Sequence, residues 1–202
     1  MNTNKQQKAE AEQKAFRFFL WGTVLAMLPI PILSAVTMLA GRIVLYMGAS
    51  KMQSDGGSMF DKMKKFMLAS SVIYLVNYLG VLLLFEFSET AAAYFSLIVQ
   101  TADYASFTAG IIFMGFGLVE IMGNYGKVGK NLLYLPSLAY AFTFPLGCAF
   151  QFFGLGDNQA VTIGLNLVWI GAALWLWISI YNMLKAIEQA KAARTGKGGN
   201  RK

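Results

Sequence analysis

The chain has 202 residues, of which 56% are hydrophobic and only 13% are charged. Soluble domains have about a quarter of their residues charged, so this composition and a mean hydropathy of +0.51 exclude an ordinary soluble domain. They indicate an integral membrane protein whose main partner is the lipid bilayer. The net charge of +7 is concentrated in the tails and two loops, which is typical of cytoplasmic segments of membrane proteins, and we do not interpret it as a nucleic-acid-binding surface.

Several kinds of functional site are excluded by residue type. Histidine is absent and Cys148 is the only cysteine, so a single chain cannot form a His/Cys metal site, a haem ligand pair, a disulfide or a histidine-based triad. The glycine motifs that cradle phosphates are also absent. The sequence therefore predicts no catalytic residues, no metal and no cofactor, and we expect that the protein is not an enzyme.

The predicted fold is all-α, a polytopic helical membrane protein with about five transmembrane segments. A polar N-terminal segment (residues 1–15) precedes a helical membrane domain (16–183), and a basic tail (184–202) follows it. The tail and two loops carry most Lys and Arg residues, whereas the intervening connections carry none, which places the C-terminus in the cytoplasm.

The first apolar segment, Phe16–Ser50, is too long for one straight span. Its residues would extend roughly 50 Å as a helix, against about 30 Å of hydrocarbon in a bilayer. Pro29 and Pro31 must kink or end the helix, because each removes a backbone donor and crowds the preceding turn. We interpret the segment as a Pro-kinked span, and a shallow hairpin with the prolines at its tip is the alternative. The side of the membrane that holds the N-terminus depends on this choice.

The connection between the next two spans, residues 86–103, is acidic and lacks Lys and Arg, which favours an outer loop. A short interfacial helix is expected at 91–100, and Asp103 ends the loop. The four spans after the first segment are predicted at 66–85, 104–122, 132–153 and 160–183.

Pairs of glycines recur seven residues apart in three apolar helices of the same predicted orientation. In lipid, small residues on one helix face permit close backbone approach, so we predict that these glycines form helix-packing surfaces, either within the chain or between chains. Alignment of the first two pairs predicts a parallel internal repeat of helical hairpins at about 34–85 and 103–153, with 160–183 as an extra span; chance similarity of apolar helices is the alternative. The pairs are Gly41 with Gly48, Gly110 with Gly117, and Gly164 with Gly171.

Two charged residues lie within predicted spans. Arg42 is nine residues before Lys51, and Glu120 is seven before Lys127, so both lie at a similar depth from the basic loops. An unpaired charge in a bilayer is costly, and we therefore predict an intramembrane pair between them. Snorkelling of both side chains to the headgroups and a proton or ion relay through Glu120 are the alternatives.

The sequence AGIIFMGFGLVEIMGNYGKVGKNLLYLPSLAYAF, from Ala109 onwards, combines a glycine-bearing apolar helix, a Tyr-Gly-Lys turn and a second apolar helix. It resembles the small polytopic inner-membrane proteins of Dot/Icm-type type IV secretion and related conjugation systems, mainly over residues 104–153. The resemblance implies a non-enzymatic subunit of a bacterial inner-membrane complex, with other membrane proteins or copies of itself as partners. A small transporter or channel that uses Arg42 and Glu120 is the alternative function.

Overall fold

The computed structural model describes residues 3–27, 34–52, 57–122, 131–155 and 158–196. These residues form six α-helices and no strand, in agreement with the predicted all-α class. The predicted basic turn at 124–130 and both prolines of the first segment lie outside the described residues. The helices are α1 (Thr3–Met27), α2 (Ser34–Lys51), α3 (Gly57–Phe85), α4 (Glu89–Met122), α5 (Asn131–Phe152) and α6 (Gln159–Gly196).

The first apolar segment is a hairpin of two packed helices, α1 and α2. Gly22 lies against Leu45, whereas Gly41, four residues earlier than Leu45, lies against Ala26, four residues later than Gly22. This opposite progression means that the two helices run antiparallel. Our interpretation of the segment as one kinked span was therefore wrong. The small residues explain the outcome, because they let two helix backbones pack closely beside each other.

The predicted outer loop at 86–103 is also wrong, because α4 begins at Glu89 and continues without a break to Met122. A tight turn ends α3: the backbone N–H groups of Phe87 and Ser88 both donate to the carbonyl of Leu84, at 3.0 and 2.9 Å. The Ser88 hydroxyl oxygen then accepts a hydrogen bond from the N–H of Ala91, an N-cap that starts α4. Asp103 therefore lies inside a long helix.

Gly154 and Asn158 lie at the end of α5 and the start of α6. Gly154 adopts a φ of 69°, a left-handed conformation that glycine accepts without the clash a Cβ atom would cause. The side-chain oxygen of Asn158 accepts hydrogen bonds from the N–H groups of Ala160 and Val161, at 3.0 and 3.3 Å. This cap begins α6, which continues well beyond the predicted end of the last span at residue 183.

The six helices pack in a closed order. Each of α1 to α5 contacts the next helix, and α1 also contacts α6. At this α1–α6 contact, the side chain of Glu188 accepts hydrogen bonds from Gln13 and Arg17, at 3.0 and 3.4 Å. The apolar core is formed by residues from all six helices, among them Phe19, Leu45 and Leu118.

Within the described residues, three helices contain segments long and apolar enough to cross a membrane. The segments are Met59–Phe85, Glu89–Met122 and Gln159–Gln189, and the second is the most buried of the three. Many large apolar side chains of α3 and α6 are exposed, as expected for helix faces in contact with lipid tails or with another membrane protein. The chain is therefore compatible with a bilayer environment, while the count of five spans and the internal repeat stay predictions.

Candidate functional site

A buried ion pair between Arg42 of α2 and Asp103 of α4 lies at the centre of the bundle. Each side chain is only 2% exposed, and Nη2 of Arg42 lies 2.8 Å from Oδ2 of Asp103. The other carboxylate oxygen, Oδ1, accepts a hydrogen bond from the Ser70 hydroxyl at 2.7 Å, and Nη1 of Arg42 donates to the Ser70 carbonyl at 3.4 Å. One serine of α3 therefore bonds to both members of the pair.

Aromatic rings complete the environment of the guanidinium. Its central carbon lies 4.3 Å from the ring centroid of Tyr74 and 5.1 Å from that of Phe107, within the range of cation–π interactions. The Tyr74 hydroxyl in turn lies 3.9 Å from the sulfur of Met38. These rings replace water around the cation, which strengthens the attraction between Arg42 and Asp103. We call Arg42, Ser70, Tyr74, Asp103 and Phe107 the arginine cluster.

The helical repeat explains how three elements supply this cluster. Ser70 and Tyr74 are four residues apart on α3, and Asp103 and Phe107 are four apart on α4, so each pair lies on one face of its helix. The two faces converge on Arg42 of α2. α3 and α4 therefore each contribute one polar residue that bonds to the Arg42 guanidinium and one aromatic ring that covers it.

The predicted partner of Arg42, Glu120, is exposed and belongs to a different part of α4. It is seventeen residues beyond Asp103, or about 25 Å along the helix. The predicted Arg42–Glu120 pair was therefore wrong, and so was the snorkelling alternative for Arg42, which is buried. Sequence reasoning missed Asp103 because it assigned this residue to a loop. The absence of Gly and Pro from residues 89–109, with helix-forming residues at 91–100, was the signal that α4 is continuous.

The glycines predicted on α2 pack against α1. A Cβ atom added to Gly41 would lie 2.5 Å from the backbone nitrogen of Ala26 and 2.8 Å from the carbonyl oxygen of Gly22. At Gly48 the corresponding atom would lie 2.7 Å from the ring of Phe19. Neither position has room for a side chain. At Gly41 the nearest atoms belong to the backbone of α1, which cannot change rotamer to make space.

The glycines predicted on α4 pack in the same way against α3. An added Cβ would lie 2.6 Å from the terminal methyl of Met67 at Gly110, and 2.6 Å from the ring of Phe60 at Gly117. The rings of Phe60 and Phe19 are stacked, with centroids 5.7 Å apart. The two glycine-lined contacts therefore meet in the core through this pair of rings.

The third predicted pair behaves differently. Gly164 and Gly171 are exposed on α6, and a Cβ atom added at either would have no atom within 4 Å. Within the described part of the chain, these two glycines therefore do not mediate helix packing.

A cavity of about 350 Å³ lies between α5 and α6, next to α2 and α4. Aromatic and aliphatic side chains form most of its wall, together with a few uncharged polar groups. The residues that line it are Met38, Tyr104, Thr143, Phe144, Gly147, Phe150, Leu155, Val161, Thr162, Leu165, Asn166 and Trp169. It adjoins the arginine cluster, since Met38 contacts Tyr74 and Tyr104 follows Asp103 in sequence.

Among the described residues, no group of three or more His, Cys, Asp or Glu side chains could hold a metal ion. No family model, curated protein or solved structure matches the chain. The features of the chain that bear on function are therefore the arginine cluster, the glycines and the cavity.

Proposed function

We propose that the protein is a non-enzymatic integral membrane subunit that packs within a multiprotein membrane assembly. The observation that carries this proposal is the uncovered glycine pair of α6. The space beside each of the four glycines of α2 and α4 is occupied by residues of the same chain, whereas Gly164 and Gly171 face open space. Small residues let a partner helix approach closely and make more van der Waals contacts than lipid tails would. This face therefore suits a transmembrane helix from another protein or from a second copy of the chain.

Large exposed side chains flank the two glycines. They follow at spacings of three and four residues, so they share one face of α6 with the glycines. Such a face, with small residues in the middle and long apolar residues around them, allows close approach of a partner helix and dispersion contacts on both sides. We call it the α6 face: Gly164, Leu167, Val168, Gly171, Leu174, Trp175 and Ile178.

The proposal can be tested with Gly171→Leu in the full-length chain. A Cβ atom added at Gly171 has no neighbouring atom within 4 Å, so we expect the monomer to fold and accumulate normally, while the assembly should be lost. Complex size after extraction in mild detergent measures the assembly. Ala93→Leu adds the same bulk to an exposed position on α4 and serves as the control. An assembly that tolerates Gly171→Leu as well as Ala93→Leu would exclude the α6 face as its interface.

The topology that we propose has the basic helix ends in the cytoplasm. The hairpin of α1 and α2 begins and ends on one side of the bundle, and this removes the conflict between the basic N-terminal segment and Lys51. The Arg17–Glu188 ion pair supports the same arrangement, because it joins the middle of α1 to the last part of α6. In this topology α3 to α6 cross the membrane, and the α1–α2 hairpin enters from the cytoplasmic side. The C-terminus is cytoplasmic, and the membrane that we propose is the inner membrane of a bacterium.

We further propose that α2–α3 and α4–α5 are copies of one ancestral hairpin. The support is that α2 and α4 each use glycines seven residues apart to pack on the preceding helix, with a phenylalanine against the second glycine in both cases. Membership of a type IV secretion or conjugation complex is the narrowest form of the proposed function, and its support is the sequence resemblance alone.

A small transporter or channel is the second candidate function. The observation that favours it is a buried charged pair beside a cavity, because ionisable residues inside a membrane often mark transport pathways. In this transport hypothesis the acidic residue beside Arg42 is Asp103, and not Glu120 as the sequence suggested. Ion or solute flux through the purified protein in liposomes, abolished by Asp103→Asn, would favour transport over assembly. The absence of flux would exclude it for the solutes assayed.

A further inference from the structure

The cavity between α5 and α6 lies in the half of the bundle remote from the basic helix ends. Leu155 belongs to the α5–α6 connection, and Val161 and Thr162 belong to the first turn of α6. The contribution of α2 is Met38, one turn before Arg42. The cavity therefore extends from the α5–α6 connection down to the level of the arginine cluster.

Among the described residues, the helices that surround this space differ in length. From Arg42, α2 continues eight residues back to Ser34, about 12 Å, whereas α3 continues fifteen residues from Ser70 to Phe85, about 22 Å. Because Arg42 and Ser70 lie at the same level, α3 extends about 10 Å farther than α2. Of the described residues of α2, Met38 is the one that lines the cavity, close to the end of this shorter helix.

The wall of the cavity suits an uncharged amphiphile. Four aromatic side chains supply apolar surface, and the carboxamide of Asn166 supplies both a donor and an acceptor. The Thr143 hydroxyl donates to the Tyr140 carbonyl at 2.6 Å, and its oxygen can still accept a hydrogen bond. Within the part of the chain that the structure describes, no Lys, Arg, Asp or Glu side chain lines the cavity, and the charge of the nearby Arg42 is already matched by Asp103. A phosphate headgroup would therefore lose its hydration here without gaining a counter-charge, whereas a hydroxyl or ester group would be satisfied.

We propose that this cavity binds an uncharged, hydroxyl-bearing lipid of the diacylglycerol type, which enters from the bilayer. The volume lies within the range of small-molecule sites, which is about 300–1,000 Å³. The α6 part of the wall belongs to an apolar segment long enough to span a membrane, so the surrounding solvent is lipid. The site is independent of the α6 face, and assembly is not required for it.

The test uses the full-length protein in phosphatidylcholine liposomes with two photoreactive probes that carry the same diazirine-labelled acyl chain. One probe is a diacylglycerol and the other is a phosphatidylglycerol. The diacylglycerol should label peptides of α5 and α6 that line the cavity, and unlabelled diacylglycerol should compete. Equal labelling by the two probes would indicate ordinary lipid contact and would overturn the proposal, as would preference for the phosphatidylglycerol.

Two variants make the test specific. A Cβ atom added at Gly147 would lie 3.7 Å from Leu165, an ordinary contact, so Gly147→Leu should fit its backbone and place the rest of the side chain in the cavity. We expect it to reduce labelling by the diacylglycerol about fivefold or more, which corresponds to a loss of about 1 kcal/mol of binding free energy. Ala93→Leu adds bulk at an exposed position on α4 that does not line the cavity, and it should leave this labelling unchanged. Unchanged labelling in folded Gly147→Leu would overturn the proposal.

A polar variant covers the case in which Gly147→Leu does not fold. Asn166→Leu keeps a similar volume and removes the carboxamide from the cavity wall. Labelling by the diacylglycerol should fall, while labelling by a probe with a plain hydrocarbon chain should not. If labelling by both probes is unaffected, the cavity does not recognise a polar head. The α6 assembly can be measured on the same samples, so failure of the lipid site and failure of the assembly proposal are distinguishable.

Discussion

The contact between α1 and α2 and the α6 face are both built on glycines seven residues apart, yet one is closed and the other is open. Gly41 faces the backbone of α1 at a distance that excludes even a methyl group, whereas Gly171 faces no atom of its own chain. Glycine spacing therefore identifies a helix face that permits close packing, but it does not identify the helix that packs against that face. At α2 a following charge, Arg42, has partners on two further helices and fixes the helix from its other side. No such charge accompanies the α6 face, whose large residues are apolar.

The arginine cluster gives the largest expected effect on the closed side of this comparison. Asp103→Leu leaves a buried guanidinium without its carboxylate, and we expect a loss of about 3–5 kcal/mol in the free energy of unfolding, because the charge cannot be rehydrated in place. Arg42→Leu should cost a similar amount. The measurement is equilibrium unfolding in mixed detergent micelles.

The double variant Arg42→Leu with Asp103→Leu provides the decisive comparison. It removes both charges together, and we expect it to be more stable than either single variant, since no unpaired ion is left. Glu120→Leu, at an exposed position on the same helix as Asp103, is the control and should change stability little. Additive losses in the double variant would mean that the two side chains do not act as a pair.

The same comparison explains which features could be predicted from the sequence. Composition and apolar segments are sufficient for an all-α membrane protein, and the glycines of α2 and α4 are packing positions because their spacing matches two helical turns. The partner of Arg42 was missed because Asp103 is surrounded by polar residues, Gln100 and Thr101, that resemble a loop. In the structure Gln100 donates to the Tyr104 hydroxyl, and Thr101 donates to the Leu97 carbonyl. Both hydrogen bonds lie within α4, and composition alone does not predict them.

The hairpin of α1 and α2 was undecided for a different physical reason. Two prolines separated by one residue end a helix whether the chain then continues across the membrane or turns back. The choice depends on contacts between residues far apart in sequence, such as Gly41 with Ala26. The partner that packs on the α6 face is harder still to predict, because the contacts that determine it involve another molecule.

Alanine at the two kinds of glycine should give effects of opposite sign. At Gly41 the new methyl group would overlap the backbone of Ala26, and overpacking of this kind costs about 1–3 kcal/mol. At Gly171 it meets no atom, and replacing a helical glycine by alanine should stabilise the helix by about 0.5–1 kcal/mol. Thermal unfolding of the two variants in the same detergent measures the contrast. Equal destabilisation by both would contradict the distinction between closed and open glycine faces.

The smallest expected effect is at the ion pair between Arg17 and Glu188, which joins α1 to α6 at the basic end. Its side chains are 59% and 42% exposed, and the oxygen–nitrogen distance is 3.4 Å, so water and salt screen the attraction. Glu188→Gln should reduce the free energy of unfolding by about 0.2–1 kcal/mol at low salt, and by less at high salt. The loss in Asp103→Asn should persist at high salt, because counter-ions do not reach a pair that is 2% exposed. A salt titration of both variants separates the two cases: a loss at Glu188 that matched the loss at Asp103 and resisted salt would mean that the α1–α6 contact is as dehydrated as the centre of the bundle.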